Sequence, residues 1–221
     1  MGTVSNFITT IKNSEQALEL FKDGGEVAID AVLEDKFGVE GVLKDIPILN
    51  IAVSMYKMGN KISAYFFAKN MLAFLTEIDR IPNQKRIDFL DKHCTNRDGI
   101  ENVGEVALMI LDKLDHPKLA TMLGRVFVLY TLGTITKREF DIYSHAIKSM
   151  NPYLQEQLSR FYQSNGNSPL DLPASLTLAN YGLLRMDYGV FTSEGENYVS
   201  RSIVVTEFGE TFYRKILVKG D

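Results

Sequence analysis

The 221-residue sequence has one cysteine, Cys94, and no tryptophan. A single cysteine cannot close a disulfide within the chain and cannot by itself build a cysteine-based zinc site. It fits a reducing cytosol. Histidine is scarce as well: His93, His116 and His145 are the only three. None lies three to five residues from another, so the helical two-histidine metal spacing is absent. His93 and Cys94 are neighbours in sequence and point in different directions on a helix. His116, just before Pro117, belongs in a turn or a helix cap, and His145 at a boundary between core and solvent. No metal ligand set and no cofactor are expected.

Phosphate cradles are missing too. Gly24-Gly25 and Gly38/Gly41 lack the Gly-Lys-Ser/Thr ending of a P-loop and the Gly-x-Gly-x-x-Gly spacing of a dinucleotide site. There is no Gly-x-Ser-x-Gly elbow. Asn96-Arg97-Asp98-Gly99 is too short and too poor in ligands for a calcium loop. Carboxylates do pair, as Glu101/Glu105, Asp112/Asp115 and Asp88/Asp91. They sit three or four apart on polar helix faces and read as solvated, whereas acid–base catalysis needs two carboxyls in different environments. No catalytic residue is expected, and the chain reads as non-enzymatic.

Long apolar runs are absent. In the most apolar stretch, Ile46 to Leu75, Lys57, Lys61 and Lys69 interrupt, and the longest uncharged run is Ile46 to Tyr56. A membrane-spanning helix needs about 20 predominantly apolar residues, so none is expected. Met1 to Lys12 has neither a basic start nor the apolar core of a secretory signal. The chain reads as cytoplasmic, with peripheral contact at the inner membrane as a further option.

What is present is a large apolar fraction, 45%, enough for a real core. The formal charge is −4 but unevenly spread. Residues 1–40 hold 3 basic and 8 acidic side chains, and residues 41–92 hold 8 and 5. Residues 93–167 balance at 8 and 8, and residues 168–221 hold 5 and 7. The basic stretch coincides with the apolar one. Its lysines either snorkel from core helices or meet an anionic surface, whether lipid headgroups or an acidic partner.

Helical periodicity dominates the first three quarters. Ser5 to Phe21 and Glu26 to Phe37 read as helices closed by glycines. Asp45-Ile46-Pro47 opens a third, with Ile48, Ile51, Ala52, Met55 and Tyr56 at helical spacing and a stop at Gly59-Asn60. Lys61 to Ile78 is apolar almost all round, the mark of a central helix. Gln84 to His93, Gly99 to Leu114 and Pro117 to Leu132 follow. Thr136 and Glu139 then have capping-box spacing, and Asn151-Pro152 starts a helix to about Tyr162. Ser164 to Pro169 reads as a linker of turn formers.

Beyond it the character changes. Leu170 to Leu184 reads as a helix. Arg185 to Phe191 and Tyr198 to Val205 read as a hairpin around a polar turn, and Thr206 caps a last helix. Helix, two strands, helix is the C-terminal part of a winged-helix layout. The fold class is mainly α: a helical bundle over 1–163, then a small winged-helix-like α+β part over 168–221. Nucleic acid is not the expected partner, because Leu170 to Leu184 has no basic residue and the hairpin turn carries Glu194 and Glu196.

Leu43-Lys44-Asp45-Ile46-Pro47-Ile48-Leu49, then Tyr56-Lys57 and Phe67-Ala68-Lys69, resemble a widespread group of bacterial helical proteins with an apolar L-K-D-I-P hairpin. Ile135-Thr136-Lys137-Arg138-Glu139-Phe140 matches that group's turn. Gly182-Leu183-Leu184 with Thr206-Glu207-Phe208-Gly209-Glu210-Thr211-Phe212 is similar to the ending of abortive-infection alpha proteins. The resemblance spans about residues 20–218 and rests on caps, turns and core positions. It implies phage defence or a related stress response, through binding rather than chemistry, and carries over no catalytic residue.

The expectation is therefore a non-enzymatic interaction protein of bacterial or mobile-element origin. It acts through a protein partner, a second copy of itself or a membrane surface. The apolar–basic hairpin 46–75 is the contact, with Ile46, Ile48, Ile51, Met55, Lys57, Lys61, Phe66 and Lys69 as interaction residues. The alternative is a winged-helix DNA-binding regulator.

Overall fold

A computed structural model describes residues 3–19, 46–94, 103–193 and 196–218. The expected helix Glu26 to Phe37, the Leu43-Lys44-Asp45 motif residues and the first residues of the expected helix from Gly99 lie outside these. The fold is mainly helical with one two-stranded antiparallel sheet near the C-terminus. The chain divides into two compact units, residues 1–148 and 149–221.

In the first unit the described helices are α1 (Thr3–Lys12), α2 (Ser14–Glu19), α3 (Leu49–Lys57), α4 (Lys61–Ile78), α5 (Asn83–Cys94), α6 (Gly104–Leu111), α7 (Pro117–Thr131) and α8 (Lys137–Ser149). The core is built around α4. Its Ala64, Phe67, Ala68, Met71, Phe74, Leu75 and Ile78 are all buried, as an apolar all-round helix requires. Phe74 touches Phe7 of α1 and Phe127 of α7, each with ring centroids 5.7 Å apart. Phe127 in turn meets Phe89 of α5 at 5.7 Å and Phe140 of α8 at 6.4 Å. This chain of mostly edge-on rings joins five helices, and each pair adds about 0.5–1.5 kcal/mol beyond its buried area.

The α4–α7 crossing is close because position 124 is glycine. A Cβ there would stand 2.8 Å from Glu77 Cβ and 3.0 Å from the Phe74 carbonyl oxygen. Glu77 is itself buried, and its carboxylate takes Arg80 at 2.9 Å and Arg125 at 3.5 Å. Arg86 is fully buried as well. Its guanidinium faces Asn83 Oδ1 at 3.2 Å, Glu15 at 3.6 Å and Asp79 at 3.8 Å, tying α5 to α2 and to the end of α4. Charges this deep persist because they are paired or hydrogen-bonded, and the exposed partners make each single pair worth less than a fully buried one.

Helix boundaries follow local capping chemistry. His116 Nδ1 accepts the Lys118 N–H at 3.1 Å and caps α7. Thr136 and Glu139 form the expected capping box: Glu139 Oε2 accepts the Thr136 N–H at 2.6 Å, and Thr136 Oγ1 accepts the Glu139 N–H at 3.2 Å. The first expected helix is broken at Asn13 into α1 and α2.

The second unit holds α9 (Pro152–Gln163), α10 (Leu172–Asn180), β1 (Leu184–Ser193), β2 (Glu196–Val205) and α11 (Glu207–Thr211), which runs into a π-helical turn, Phe212–Leu217. The strands pair from Leu184↔Val205 to Ser193↔Glu196. The Ser164–Pro169 segment is a folded turn inside this unit: Gly166 N–H donates to the Phe161 carbonyl at 2.8 Å and Ser168 N–H to Ser164 Oγ at 2.7 Å. Tyr162 is the keystone. Its hydroxyl donates to the Leu183 carbonyl at 2.6 Å, and burial raises its pKa. The α11 backbone passes so near that a Cβ at Gly209 would lie 1.9 Å from the Leu183 oxygen and 2.0 Å from the Tyr162 hydroxyl. The glycine of the Thr-Glu-Phe-Gly motif is thus a packing requirement.

Candidate functional site

The α3–α4 hairpin begins at a turn fixed from outside. Thr10 Oγ1 of α1 accepts the Ile48 N–H at 3.3 Å, and Ile46 and Ile48 are both buried. These two expected contact residues are core residues of the first unit. Ile51 and Met55 are half-buried on α3, and Lys69 is half-buried on α4.

The far end of the hairpin is different. Gly59 (φ +90°) ends α3, with the Asn60 N–H donating to the Met55 carbonyl at 2.9 Å and the Gly59 N–H to the Tyr56 carbonyl at 3.0 Å. Every residue from Lys57 to Ser63 is exposed. Met58 is 71% exposed, Ile62 75% and Phe66 41%, at a spacing of four. Lys61 Nζ lies over the Tyr56 ring at 5.0 Å and Lys69 Nζ over Tyr65 at 4.7 Å. No aspartate or glutamate occurs between Asp45 and Glu77. The tip therefore presents the apolar Met58 and Ile62 beside the lysines Lys57 and Lys61. Of the expected residues the tip gathers Lys57, Lys61 and Phe66. It adds Met58 and Ile62, which the α3 stop signal at Gly59-Asn60 places in and beside a turn.

On the hairpin flank is a cleft of about 390 Å³. Met55, Ile62, Phe66 and Phe67 form one wall, and Leu111 to Asp115, between α6 and α7, the other. Asn70 forms part of its lining; it is 1% exposed and donates through Nδ2 to the Leu114 carbonyl at 2.6 Å. Its Oδ1 is buried without a hydrogen-bond partner among the described residues. Asp112 pairs with Lys113 at 3.1 Å. Asp115 is exposed.

A second recess, about 460 Å³, lies between α5 and the end of α7. His93 lines it, packed on Phe89 at 4.7 Å and near Tyr130 at 6.0 Å. Burial, and then the Lys92 charge, push the imidazole pKa below its ordinary value. Asp88, Asp91, Asp112, Asp115 and His145 are exposed. No group of three or more His, Cys, Asp or Glu suited to a metal ion occurs among the described residues. No helix among them is long and apolar enough to cross a membrane.

In the second unit, α10 has neither lysine nor arginine. Tyr188, Val190 and Val199 are exposed on one face of the β-hairpin, beside Arg201. No protein-family model, curated protein or solved structure matches the chain.

Proposed function

We propose that this chain is a non-enzymatic interaction protein that docks through the α3–α4 tip onto an anionic lipid surface. The carrying observation is the tip itself: Met58 and Ile62, 71% and 75% exposed, flanked by Lys57 and Lys61 in a stretch without carboxylates. Apolar side chains at the apex can enter the headgroup boundary while the ammonium groups stay at the phosphates. The magnitudes are modest. Each lysine near an anionic surface contributes about 1 kcal/mol, and burying Met or Ile about 1.5–3 kcal/mol each. The total, roughly 5–8 kcal/mol, corresponds to reversible binding between millimolar and micromolar. Stable docking would then need several copies or a second contact. The resemblance to abortive-infection alpha proteins supports placing this docking in bacterial defence or stress response.

Flotation with vesicles of phosphatidylglycerol and phosphatidylethanolamine tests the reading. The chain should float with them, float less as salt rises, and stay behind with phosphatidylcholine alone. Lys57→Glu/Lys61→Glu should abolish flotation while leaving the circular dichroism spectrum unchanged. Failure to float at low salt, or flotation unaffected by the double variant, sinks the lipid reading. A protein captured by cross-linking from position 58, with no lipid binding, would replace it.

A further inference from the structure

We propose that Met58, at the apex of the α3–α4 hairpin, is a redox switch for docking through the tip: oxidation of its thioether to the sulfoxide releases the chain from the lipid surface, and reduction restores it. The proposal rests on the lipid reading and adds its regulation. The sequence has eight methionines. Met71 and Met122 are fully buried and Met150 is 5% exposed, whereas Met58 is 71% exposed. Met55 and Met186 are half-buried. Among the described methionines only Met109 is comparably open, at 63%, and it belongs to α6 rather than to the hairpin.

Position gives Met58 its leverage. It follows the last residue of α3, and Gly59 (φ +90°) turns the chain directly after it. Nothing lies within 4 Å of where a Cβ on Gly59 would stand, so the approach to this turn is open. An oxidant in water reaches the Met58 sulfur without local unfolding, which the buried methionines need first. The apex has two exposed apolar side chains, Met58 and Ile62, and only the thioether has a lone pair for a peroxide to meet. The step is a two-electron oxygen transfer from a hydroperoxide. A sulfur lone pair attacks one oxygen of hydrogen peroxide, the O–O bond breaks, and an S–O bond forms. The leaving hydroxide takes the proton of the transferred hydroxyl and departs as water. A methionine sulfoxide reductase reverses the change at the expense of two thiols, which become a disulfide as water is released.

The sulfoxide replaces an apolar side chain by a polar one, and its oxygen must give up water on entering the headgroup boundary. Docking of millimolar-to-micromolar strength has no reserve against losing one of its two apolar contacts. Removing the burial of one methionine corresponds to about tenfold weaker binding or more. Lys57 and Lys61 are untouched by the oxidant, so the residual binding keeps its dependence on salt.

In a full-length Cys94→Ser chain the methionines are the only sulfur groups. Hydrogen peroxide is added until peptide mass spectrometry shows Met58 converted with Met71, Met122 and Met150 intact, and circular dichroism checks that the fold is kept. Binding to phosphatidylglycerol–phosphatidylethanolamine vesicles at low salt should then fall about tenfold or more. Treatment with the two methionine sulfoxide reductases and dithiothreitol should restore it. Met109→Leu should show the same loss on oxidation. Met58→Leu, compared with itself before and after peroxide, should show none. Unchanged binding with Met58 fully converted, an equal loss in Met58→Leu, or conversion of Met58 no faster than that of Met71 would overturn the proposal. An untreated chain that does not float removes the lipid reading and this one with it. A chain that floats equally well before and after conversion of Met58 removes this one alone.

Discussion

Gly124→Ala sets two opposing effects against each other. In an unobstructed helix interior, Ala is favoured over Gly by about 1 kcal/mol. Here the added methyl would lie 2.8 Å from Glu77 Cβ, 3.0 Å from the Phe74 carbonyl oxygen and 3.3 Å from Glu77 Cγ. Ordinary contacts begin near 3.4 Å. Neither Cβ nor a helix carbonyl can rotate away, and the Glu77 carboxylate is held by Arg80 and Arg125. Relief must come from moving α4 and α7 apart, which also loosens the Phe74–Phe127 contact. Overpacking of this kind costs about 1–3 kcal/mol, here toward the upper end because two fixed backbone elements collide. The net expectation is a loss of about 1–2 kcal/mol. For a chain of this size that lowers the melting temperature by about 2–8 °C. Gly104→Ala is the control, because its Cβ would meet side-chain carbons alone, of Ile8 at 3.4 and 3.5 Å and of Val4 at 3.8 Å. It should be neutral or stabilise by up to about 1 kcal/mol through the unfolded chain. Thermal unfolding and urea titration followed by circular dichroism give both values, with the two compact units watched for separate transitions. A Gly124→Ala protein as stable as the parent, or more so, would refute the close-crossing argument.

Three further outcomes follow from single contacts. Tyr162→Phe strands the Leu183 carbonyl and should cost about 1–3 kcal/mol, read in urea unfolding as earlier loss of the second unit. Thr136→Ala removes the capping box and should cost about 1 kcal/mol, with Glu139→Gln costing less because an amide can still accept the Thr136 N–H. His93 should titrate below the ordinary imidazole value in an NMR pH series, and Lys92→Ala should move it up. Because the folded pKa is lowered, the unfolded chain takes up the proton first. Stability from this group is therefore full above the ordinary imidazole pKa and falls as pH drops toward the folded one. A His93 pKa unchanged by Lys92→Ala would contradict the assigned charge effect.

Signals that act within a few residues were readable from the sequence. The caps at His116, Thr136, Asn151 and Thr206 all form as hydrogen bonds to N–H groups two or three residues on. Helix α4 has the bounds that its apolar pattern and the Gly59-Asn60 stop imply. The break at Asn13 has neither glycine nor proline to announce it. Leu183 and Leu184 look helical by composition, but Gly182 at φ +69° ends the helical path and Leu184 opens β1. The boundary between compact units falls at 148–149 rather than in the turn at Ser164–Pro169, because α9 packs with α10 and with the π-helical turn. Lys57, Lys61 and Phe66 stand out in the sequence by the coincidence of charge and apolarity, and all three are exposed. Ile46 and Ile48 look the same in sequence, and only Thr10, thirty-eight residues before Ile48, shows that the turn they belong to is core. Asn70 carried no signal, since its partner Leu114 is forty-four residues away.

Where the α3–α4 apex sits on a bilayer is the most direct test of docking through the tip. Cys94 is replaced by serine and a polarity-sensitive fluorophore is attached at Met58→Cys, with a second protein labelled at Arg160→Cys in the other unit. On phosphatidylglycerol vesicles at low salt, the label at 58 should shift to the blue and the label at 160 should not. Neither should shift on phosphatidylcholine. An unchanged spectrum at 58, or equal shifts at both positions, would contradict docking through the α3–α4 tip.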